Sequence, residues 1–274
     1  MSKVALVTGA AQGLGLALVA GLARRLDPDD TVYLTSRRLG EVALGPVRAE
    51  VRTELLDVAD PDAARRTAAL IADRHGGIDI LFSNAHMRTG PTDDDRAIIR
   101  DYVEVNNLGP TRLLREFAPL LRDGGRLIVV ASSFGSLDHL APSLHHHFDD
   151  LTTLDQVDAA VIAWRDAVAD GSARASAWPT FANIPSKIAG VAAVRALAHQ
   201  RRDTDLDRGV LVAAVCPGMI NTPASAAWWD VSTAPSPAEA AVALLDLALD
   251  PVNPDHYGQL VRAGEVIAWR TTVG

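Results

Sequence analysis

Short apolar runs typical of buried strands alternate with helical patterns almost from end to end of the chain. Strands are predicted at residues 3–9, 31–36, 49–58, 79–85, 125–133, 209–218 and 258–263. Helices are predicted at residues 14–26, 60–76, about 93–122, roughly 180–201 and 236–249. This alternation favours a parallel sheet with helices on both faces, joined by right-handed crossovers. The pattern therefore predicts one Rossmann-type, doubly wound α/β domain over residues 1–274, with a predominantly parallel sheet of about seven strands.

Composition and charge narrow the classes of function. The net charge is -8 and no basic run exceeds an arginine pair, which disfavours nucleic acid or an anionic membrane as partner. The apolar runs are too short to span a bilayer, and the chain opens directly on a strand without a signal peptide. The lone Cys216 excludes an internal disulfide and a cysteine-rich metal site, and the adjacent histidines 145–147 fit a solvated loop better than a metal site. We expect a cytoplasmic protein that binds a small molecule and no metal.

Residues 8–15 read Thr-Gly-Ala-Ala-Gln-Gly-Leu-Gly between the first predicted strand and the first predicted helix. Glycines at such a junction allow a tight turn, a close approach of the backbone to a pyrophosphate, and tight packing of the helix on the sheet. The amides at the start of the helix would face the anion, so the order of strand, loop and helix predicts a dinucleotide site. The loop residues assigned to the cofactor are Thr8, Gly9, Gln12, Gly13, Leu14 and Gly15.

The second predicted strand is followed by Arg37 and Arg38, with no acidic residue beside them. Enzymes that bind NAD usually place a carboxylate here for the ribose 2′-hydroxyl, whereas guanidinium groups suit a 2′-phosphate. We therefore predict that these arginines favour NADPH over NADH; the alternative is a solvated pair at the start of a loop. Of the 26 basic residues only Lys3 and Lys187 are lysine, which suggests a specific task for the ammonium of Lys187.

The glycine spacing Thr8-Gly9-x-x-x-Gly13-x-Gly15 resembles that of the short-chain dehydrogenase/reductase (SDR) family. Further motifs of that family follow in order: Asp57-Val58, Ser83-Asn84-Ala85-His86, Asn106, Ser132-Ser133, and Pro217-Gly218-Met219-Ile220-Asn221-Thr222. The resemblance covers nearly the whole chain. It implies cofactor contacts from Asp57, Val58, Asn84, Ala85, Lys187, Pro217, Gly218, Ile220 and Thr222.

In this family a tyrosine gives a proton to the substrate carbonyl oxygen while the nicotinamide gives hydride to the carbon. The resemblance also implies a lysine one helical turn later, which lowers the pKa of the tyrosine and holds the nicotinamide ribose. A serine binds the substrate oxygen, and an asparagine of the middle helix holds a water of the proton relay. Ser133, Asn106 and Lys187 match these roles, but Asn183 stands at the tyrosine position.

The amide of Asn183 can donate a hydrogen bond, yet it cannot release a proton near neutral pH. The tyrosines, Tyr33, Tyr102 and Tyr257, belong to other predicted elements, and none is expected near the site. Because general acid catalysis contributes a factor of about 10² to 10⁴, ketone reduction should be weak unless another donor acts. His86, which replaces a family glycine at a strand end, is a candidate acid or base; the alternative is a histidine that fills a gap.

Within the family the chain resembles the monomeric carbonyl reductases, which share an insertion before the catalytic helix that ends in Trp-Pro. Here the insertion is predicted at about 137–178, with Val157, Val161, Trp164 and Val168 on one helical face. The resemblance implies that this helix covers the surface that other members use to form tetramers, so we predict a monomer.

Aromatic residues mark the predicted substrate pocket. Trp228 and Trp229 lie in the loop that, in the family, closes over nicotinamide and substrate, and they suggest a lid on a large apolar pocket; plain packing is the alternative. Phe134 and Trp178 are the other residues assigned to the substrate.

Three functions remain open. The leading one is an NADPH-binding oxidoreductase with an altered route of proton delivery, acting on an apolar carbonyl, enone or imine; an iminium ion accepts hydride without a proton on oxygen. The second is a non-redox cyclase, isomerase or dehydratase on the same fold, in which any dinucleotide is structural. The third is an inactive sensor of NADPH.

Overall fold

A single mixed sheet forms the centre of the protein, which is described here by a computed structural model at residues 2–38, 40 and 42–271. The strands are β1 (Val4–Val7), β2 (Thr31–Ser36), β3 (Glu50–Leu55), β4 (Ile78–Ser83), β5 (Leu121–Val130), β6 (Leu211–Val215), β7 (Leu260–Arg262) and β8 (Glu265–Ile267). Their order in the sheet is β3-β2-β1-β4-β5-β6-β7-β8. Neighbours are parallel except for β7 and β8, which pair as an antiparallel hairpin. The predicted Rossmann-type fold is confirmed, and β8 is an addition to the predicted strands.

Helices cover both faces of the sheet. They are α1 (Gly13–Arg25), α2 (Ala63–His75), α3 (Asp95–Val103), α4 (Gly109–Phe117), α5 (Leu154–Asp170), α6 (Asn183–Asp207), α7 (Pro223–Ala226) and α8 (Pro237–Leu249). One core contains the buried sides of α1 and α8, and the other contains those of α2 to α6. The central strands β1, β2, β4, β5 and β6 therefore bury side chains on both faces, whereas the edge strands β3 and β8 do not.

The segment 137–178 carries α5 across the outside of α3 and α6. Thr153 and Gln156 form a reciprocal capping box at its start, which satisfies backbone donors that the helix leaves unpaired. Val157, Val161 and Trp164 are buried, as the helical stripe predicts. The apolar face of α5 therefore packs against helices of the same chain, α3 and α6.

The loops that could hold a ligand all lie at one edge of the sheet, where the parallel strands end. From β1 the chain crosses to one face through α1, and from the neighbouring β4 it crosses to the other face through α3 and α4. Such a reversal opens a crevice at the carboxyl ends of the strands. Among the described residues no helix is long and apolar enough to cross a lipid bilayer.

Candidate functional site

A cleft of about 1080 Å³ lies at this edge, and loops that follow β1 to β6 line it. The predicted cofactor residues that line it are Gly9, Gln12, Leu14, Gly15, Arg37, Asp57, Val58, Asn84, Ala85, Lys187, Pro217, Gly218, Ile220 and Thr222. The predicted reaction and substrate residues that line it are Ser133, Asn183, His86, Phe134 and Trp229. Tertiary folding therefore gathers most of the predicted site into one cavity.

The glycine loop after β1 packs against the residues that follow β4. Gly9 and Gly13 have φ angles of 64° and 57°, a region that side chains other than glycine rarely adopt. A Cβ on Gly9 would also stand 2.6 Å from Ala85 Cα, so glycine is required by space as well. Thr8 is fully buried, and its Oγ1 accepts the backbone N–H groups of Asn84 (2.9 Å) and Ala85 (3.0 Å). Thr8 thus supports the floor of the cleft and does not line it.

The start of α1 suits an anion. The side chain of the N-cap residue Gln12 makes no capping hydrogen bond, and the first turn carries no acidic residue. Unpaired amides at a helix start bear partial positive charge. Above Gly13 the space is open: the one neighbour of a Cβ placed there would be the Arg88 guanidinium, at 3.9 Å. The loop therefore fits a pyrophosphate, and it would have a cation beside it.

One end of the cleft is lined by Ser36 and Arg37 after β2, and by Asp57 after β3. The Asp57 carboxylate accepts the backbone N–H of Ala59 at 3.0 Å, which fixes that turn. Arg38 is exposed and lies outside the cleft lining, so the structure favours Arg37 over Arg38 for a 2′-phosphate.

At the other end of the cleft, Ser133 lies against the helix that carries Asn183 and Lys187. Gly135 permits this packing, since a Cβ there would come within 2.6 Å of Val191 Cγ2. The Lys187 ammonium donates to the carbonyl of Val130 at 3.3 Å. Burial lowers the pKa of Lys187 to about 8, and the neighbouring Cys216 partly opposes this. At neutral pH most of the lysine is therefore still charged.

Asn106 does not face the cleft as the family pattern implies. It lies in a π-helical turn, Glu104–Leu108, between α3 and α4. Its Oδ1 accepts the Met87 N–H at 2.7 Å and its Nδ2 donates to the Met87 carbonyl at 3.0 Å. Because that pair holds the amide against the Met87 backbone and outside the cleft lining, Asn106 is assigned to the loop after β4 and not to a water relay.

The expectation that no tyrosine approaches the site is wrong. Tyr102, in the last turn of α3, donates its phenol proton to Asn183 Oδ1 at 3.3 Å. The residue is 1% exposed and is not part of the cleft lining, so it reaches Asn183 from within the core. Burial raises the pKa of Tyr102 to about 12, and the phenol therefore stays protonated. It cannot touch a ligand directly.

His86 lines the cleft beside this pair, with its ring 6.0 Å from that of Tyr102 in an edge-on arrangement. The ring is exposed to the cavity. Desolvation by the cleft walls, and then the charges of Lys187 and Arg88, lower the pKa of His86 below its ordinary value. His86 is therefore a neutral imidazole at neutral pH, which suits a base or a hydrogen-bond donor better than an acid.

Aromatic rings form the far wall of the cleft. Phe134 and Trp229 line it, and Phe181 packs between them and Trp228, at centroid distances of 5.8, 6.0 and 4.9 Å. The Trp228 indole N–H donates to the carbonyl of Thr89 at 3.0 Å, and so ties the loop after β6 to the loop after β4 across the cleft. Trp228 thus supports the wall from behind.

The assignment of Trp178 to the substrate is wrong. Trp178 is 7% exposed and lies inside the insertion, 6.2 Å from the ring of Trp164 and 6.1 Å from that of Phe148. It belongs to the core beneath α5, since the Trp-Pro turn that bears it points away from the cleft lining.

Comparisons with known proteins agree with this geometry. The family model described as short chain dehydrogenase matches residues 3–142, which is more than half of the chain. The chain belongs to the short-chain dehydrogenase family. Mouse carbonyl reductase (NADPH) 3 is 29% identical to it, over 98% of this chain and 99% of that protein. Human carbonyl reductase (NADPH) 1 is also 29% identical, over 97% and 98%.

Solved structures of similar fold include salutaridine reductase from Papaver somniferum, with a TM-score of 0.75 and 22% identity over 94% of this chain and 99% of that one. Menthone neomenthol reductase from Mentha piperita has a TM-score of 0.73 and 22% identity over 97% and 100%. At this identity the likeness concerns the fold alone.

Sequence reasoning missed several residues of this short-chain dehydrogenase that bear on its cleft: Arg88, Arg262, Tyr102 and Phe181. Arg88 and Arg262 line the cleft, and Arg262 lies beside Gly218. Arg88 could have been found, because it follows His86 by two positions at the end of a central strand. Tyr102 and Phe181 carry no such local signal.

Proposed function

We propose that this chain is an NADPH-dependent oxidoreductase that reduces an apolar carbonyl, enone or imine compound, with Asn183 at the position of the family tyrosine. The observation that carries the proposal is the shared cleft: an open glycine loop at one end, and Ser133, Asn183 and Lys187 at the other. Relatives of similar length that are named NADPH carbonyl reductases support the choice of reaction.

NADPH, when bound, supplies a hydride to an electrophilic carbon. For this chain, the amides at the start of α1 would hold the pyrophosphate and Arg37 would hold the 2′-phosphate. Lys187 would hold the nicotinamide ribose, a role that its ammonium can fill at neutral pH. These residues would hold the nucleotide along the cleft that Ser133 also lines.

The residues around Ser133 polarise a substrate better than they protonate it. The serine hydroxyl and the Asn183 amide can both donate hydrogen bonds to a substrate oxygen. Neither group is a general acid near neutral pH, and His86 is held neutral. Proton delivery to the substrate oxygen must then come from another group or through water. We expect turnover of ordinary ketones to be slow for this reason.

The substrate that fits the far wall is apolar. Phe134 and Trp229 present aromatic faces to the cleft, and they bind flat apolar molecules by burying surface and by stacking. A cyclic or aromatic compound fills such a space better than a flexible polar one.

A non-redox reaction is the second candidate, and one observation favours it. The pair of a neutral imidazole and a hydrogen-bonded amide can orient and polarise a reactive intermediate without any net proton transfer. In a cyclase, isomerase or dehydratase the neutral imidazole of His86 would act as the base that moves the proton.

One experiment separates the candidates. Purified protein is incubated with NADPH and a panel of apolar carbonyl, enone and imine compounds, and the nicotinamide absorbance and product masses are followed. Oxidation of NADPH with a product that gains two hydrogens supports the proposal. A product of unchanged mass, or one that has lost a water, formed without loss of NADPH, contradicts it and supports the non-redox reaction. Tight NADPH binding with neither product would indicate a sensor.

We also propose that the chain acts as a monomer. The helix α5 lies on α3 and α6, and its apolar stripe is buried there. Light scattering should give one chain mass at micromolar concentration; a dimer or tetramer mass would contradict this.

A further inference from the structure

We infer that Tyr102 is a positioning residue that fixes the Asn183 amide with its N–H₂ group toward the cleft, and that the site thereby selects a neutral carbonyl or enone oxygen over a positively charged iminium. This inference rests on the proposed function and narrows its substrate class. It concerns a contact between two residues that are far apart in sequence and meet in the core.

The first step is the direction of the hydrogen bond. The phenol of Tyr102 is 3.3 Å from Asn183 Oδ1. Asn106 and Ser186 flank the phenol oxygen, and both carry N–H or O–H groups that it can accept. The Ser186 hydroxyl is buried and makes no hydrogen bond to another described residue, so its proton is available to the phenol oxygen. With donors on its other sides, the phenol proton is directed to Asn183.

The second step is the protonation of the phenol. Burial raises the pKa of Tyr102 to about 12, so a phenolate that would attract the amide N–H₂ is absent at neutral pH. Because donors already face the oxygen of the neutral phenol, its own proton is directed to an acceptor oxygen. The oxygen of the Asn183 amide is therefore the end that faces Tyr102.

The third step is the consequence for the cleft. An amide carries its oxygen and its nitrogen on opposite branches of one plane, so an oxygen held by Tyr102 turns the nitrogen away from it. Asn183 lines the cleft, whereas Tyr102 does not. The cleft then receives N–H donors from Asn183, the ammonium of Lys187 and the hydroxyl of Ser133. A wall of donors complements a neutral acceptor oxygen and opposes a cation.

The same contact explains why an amide can occupy this position without becoming mobile. Without the phenol, the side chain could rotate and present its oxygen to the cleft, where it would accept from a protonated imine. Tyr102 restrains this rotation through its one hydrogen bond to Asn183 Oδ1. The residue therefore acts on the substrate through Asn183.

The test is a double-mutant cycle of Tyr102→Phe and Asn183→Ala, with Tyr33→Phe as matched control. Tyr33 is another buried tyrosine, and its hydroxyl pairs with His75 at 2.8 Å, away from the cleft. We expect Tyr102→Phe to lower kcat on carbonyl and enone compounds roughly three- to tenfold, the usual range for one lost hydrogen bond. KM and the Kd for NADPH should stay the same. The ratio of iminium to carbonyl turnover should rise.

In the Asn183→Ala background, Tyr102→Phe should have no further effect on kcat, because the group through which it acts is gone. Equal losses in both backgrounds would overturn the inference, and so would an equal loss with Tyr33→Phe. Thermal unfolding of each variant checks that the fold is intact.

A second measurement does not depend on activity. The side-chain amide signal of Asn183 in a ¹⁵N NMR spectrum is assigned by its disappearance in Asn183→Ala. We expect this signal to shift in Tyr102→Phe and to stay unchanged in Tyr33→Phe. A shift without turnover of any compound would mean that the proposed function fails while the positioning role stands. An unchanged signal overturns the positioning role itself.

Discussion

The two ends of the cleft differ in the groups that form them: mainly backbone at one end and side chains at the other. The cofactor end consists of backbone: two glycines with positive φ, a helix start without a side-chain cap, and Thr8 beneath them. The reaction end consists of side chains that arrive from several elements, with Asn183 from α6 and Tyr102 from α3.

This difference has a clear consequence. A backbone site depends on local geometry and is disturbed by a residue that does not fit the turn, although Arg37 and Arg88 add side-chain charge beside it. A side-chain site can change its chemistry by one substitution while the nucleotide end keeps its shape. Under the proposed function, the chain combines a nucleotide end of the family type with an altered reaction end, and the variants below test how independent the two ends are.

The largest expected effect is a gain at the reaction end. Asn183→Tyr restores a phenol one helical turn before Lys187, and we expect ketone reduction to rise by a factor of about 10² or more. Asn183→Phe supplies the ring without the hydroxyl and should give no gain. Steady-state kinetics with one ketone checks this. A similar rise in both variants would assign the effect to packing, and no rise in either would mean that the site has diverged beyond this position.

The next effect is a loss at the cofactor end. Gly9→Ala adds both an unfavourable φ and a contact of 2.6 Å with Ala85, so we expect a loss of at least about 2 kcal/mol in unfolding free energy, with weaker NADPH binding. Gly45→Ala is the matched control, because Gly45 has a φ of 68° but no atom of the described residues within 4 Å of a new Cβ. It should lose about 1 kcal/mol and keep NADPH affinity. Urea unfolding and fluorescence titration measure both, and equal losses would contradict the role given to close packing.

Two arginines, Arg37 and Arg88, should contact different phosphate groups of the cofactor. Arg37→Ala should weaken NADPH binding roughly tenfold and leave NADH binding unchanged, because the two nucleotides differ only in the 2′-phosphate. Arg88→Ala should weaken both to the same smaller extent, since its guanidinium lies above Gly13, where a pyrophosphate fits. Calorimetric titration of both nucleotides gives the ratios. Arg24→Ala, an exposed charge at the far end of α1, should change neither; a loss there would indicate a general charge effect.

The smallest effect is a dependence of stability on pH. Burial lowers the pKa of Lys187 from 10.5 to about 8 in the folded chain. Between these pH values the unfolded chain holds a proton on Lys187 that the folded chain has released. The contribution of Lys187 to the free energy of unfolding therefore rises with pH. Below about pH 8 both states are protonated and the buried charge is a cost. Lys187→Met should abolish the rise, and Lys3→Met, at an exposed lysine, should retain it. Urea unfolding at about pH 8 and pH 10 compares the variants.

Much of the fold could be predicted because its signals are local. The order of strand, glycine loop and helix at residues 4–25 lies within one stretch of chain. So does the end of β2, which carries no acidic residue. The apolar stripe of α5 has the period of a helix, so its buried face was also predictable.

The errors share one cause, which is contact over long distances in sequence. Tyr102 and Asn183 are 81 positions apart, and no spacing rule joins α3 to α6. Asn106 matches a family motif, yet its partner is the backbone of Met87, which a side-chain pattern cannot reveal. Trp178 lies five positions before Asn183, but a turn sends its ring into the insertion.

By itself, the sequence determined the Rossmann-type sheet, the nucleotide loop and the absence of a tyrosine at position 183. These follow from residue type and short-range periodicity, because a strand end and a helix start each occupy a few adjacent residues. Only the tertiary structure decided that the phenol of Tyr102 supports Asn183, that Arg88 lies above the glycine loop, and that Trp178 is core. Those outcomes depend on how separate elements pack, and the free energy of that packing is a property of the whole fold.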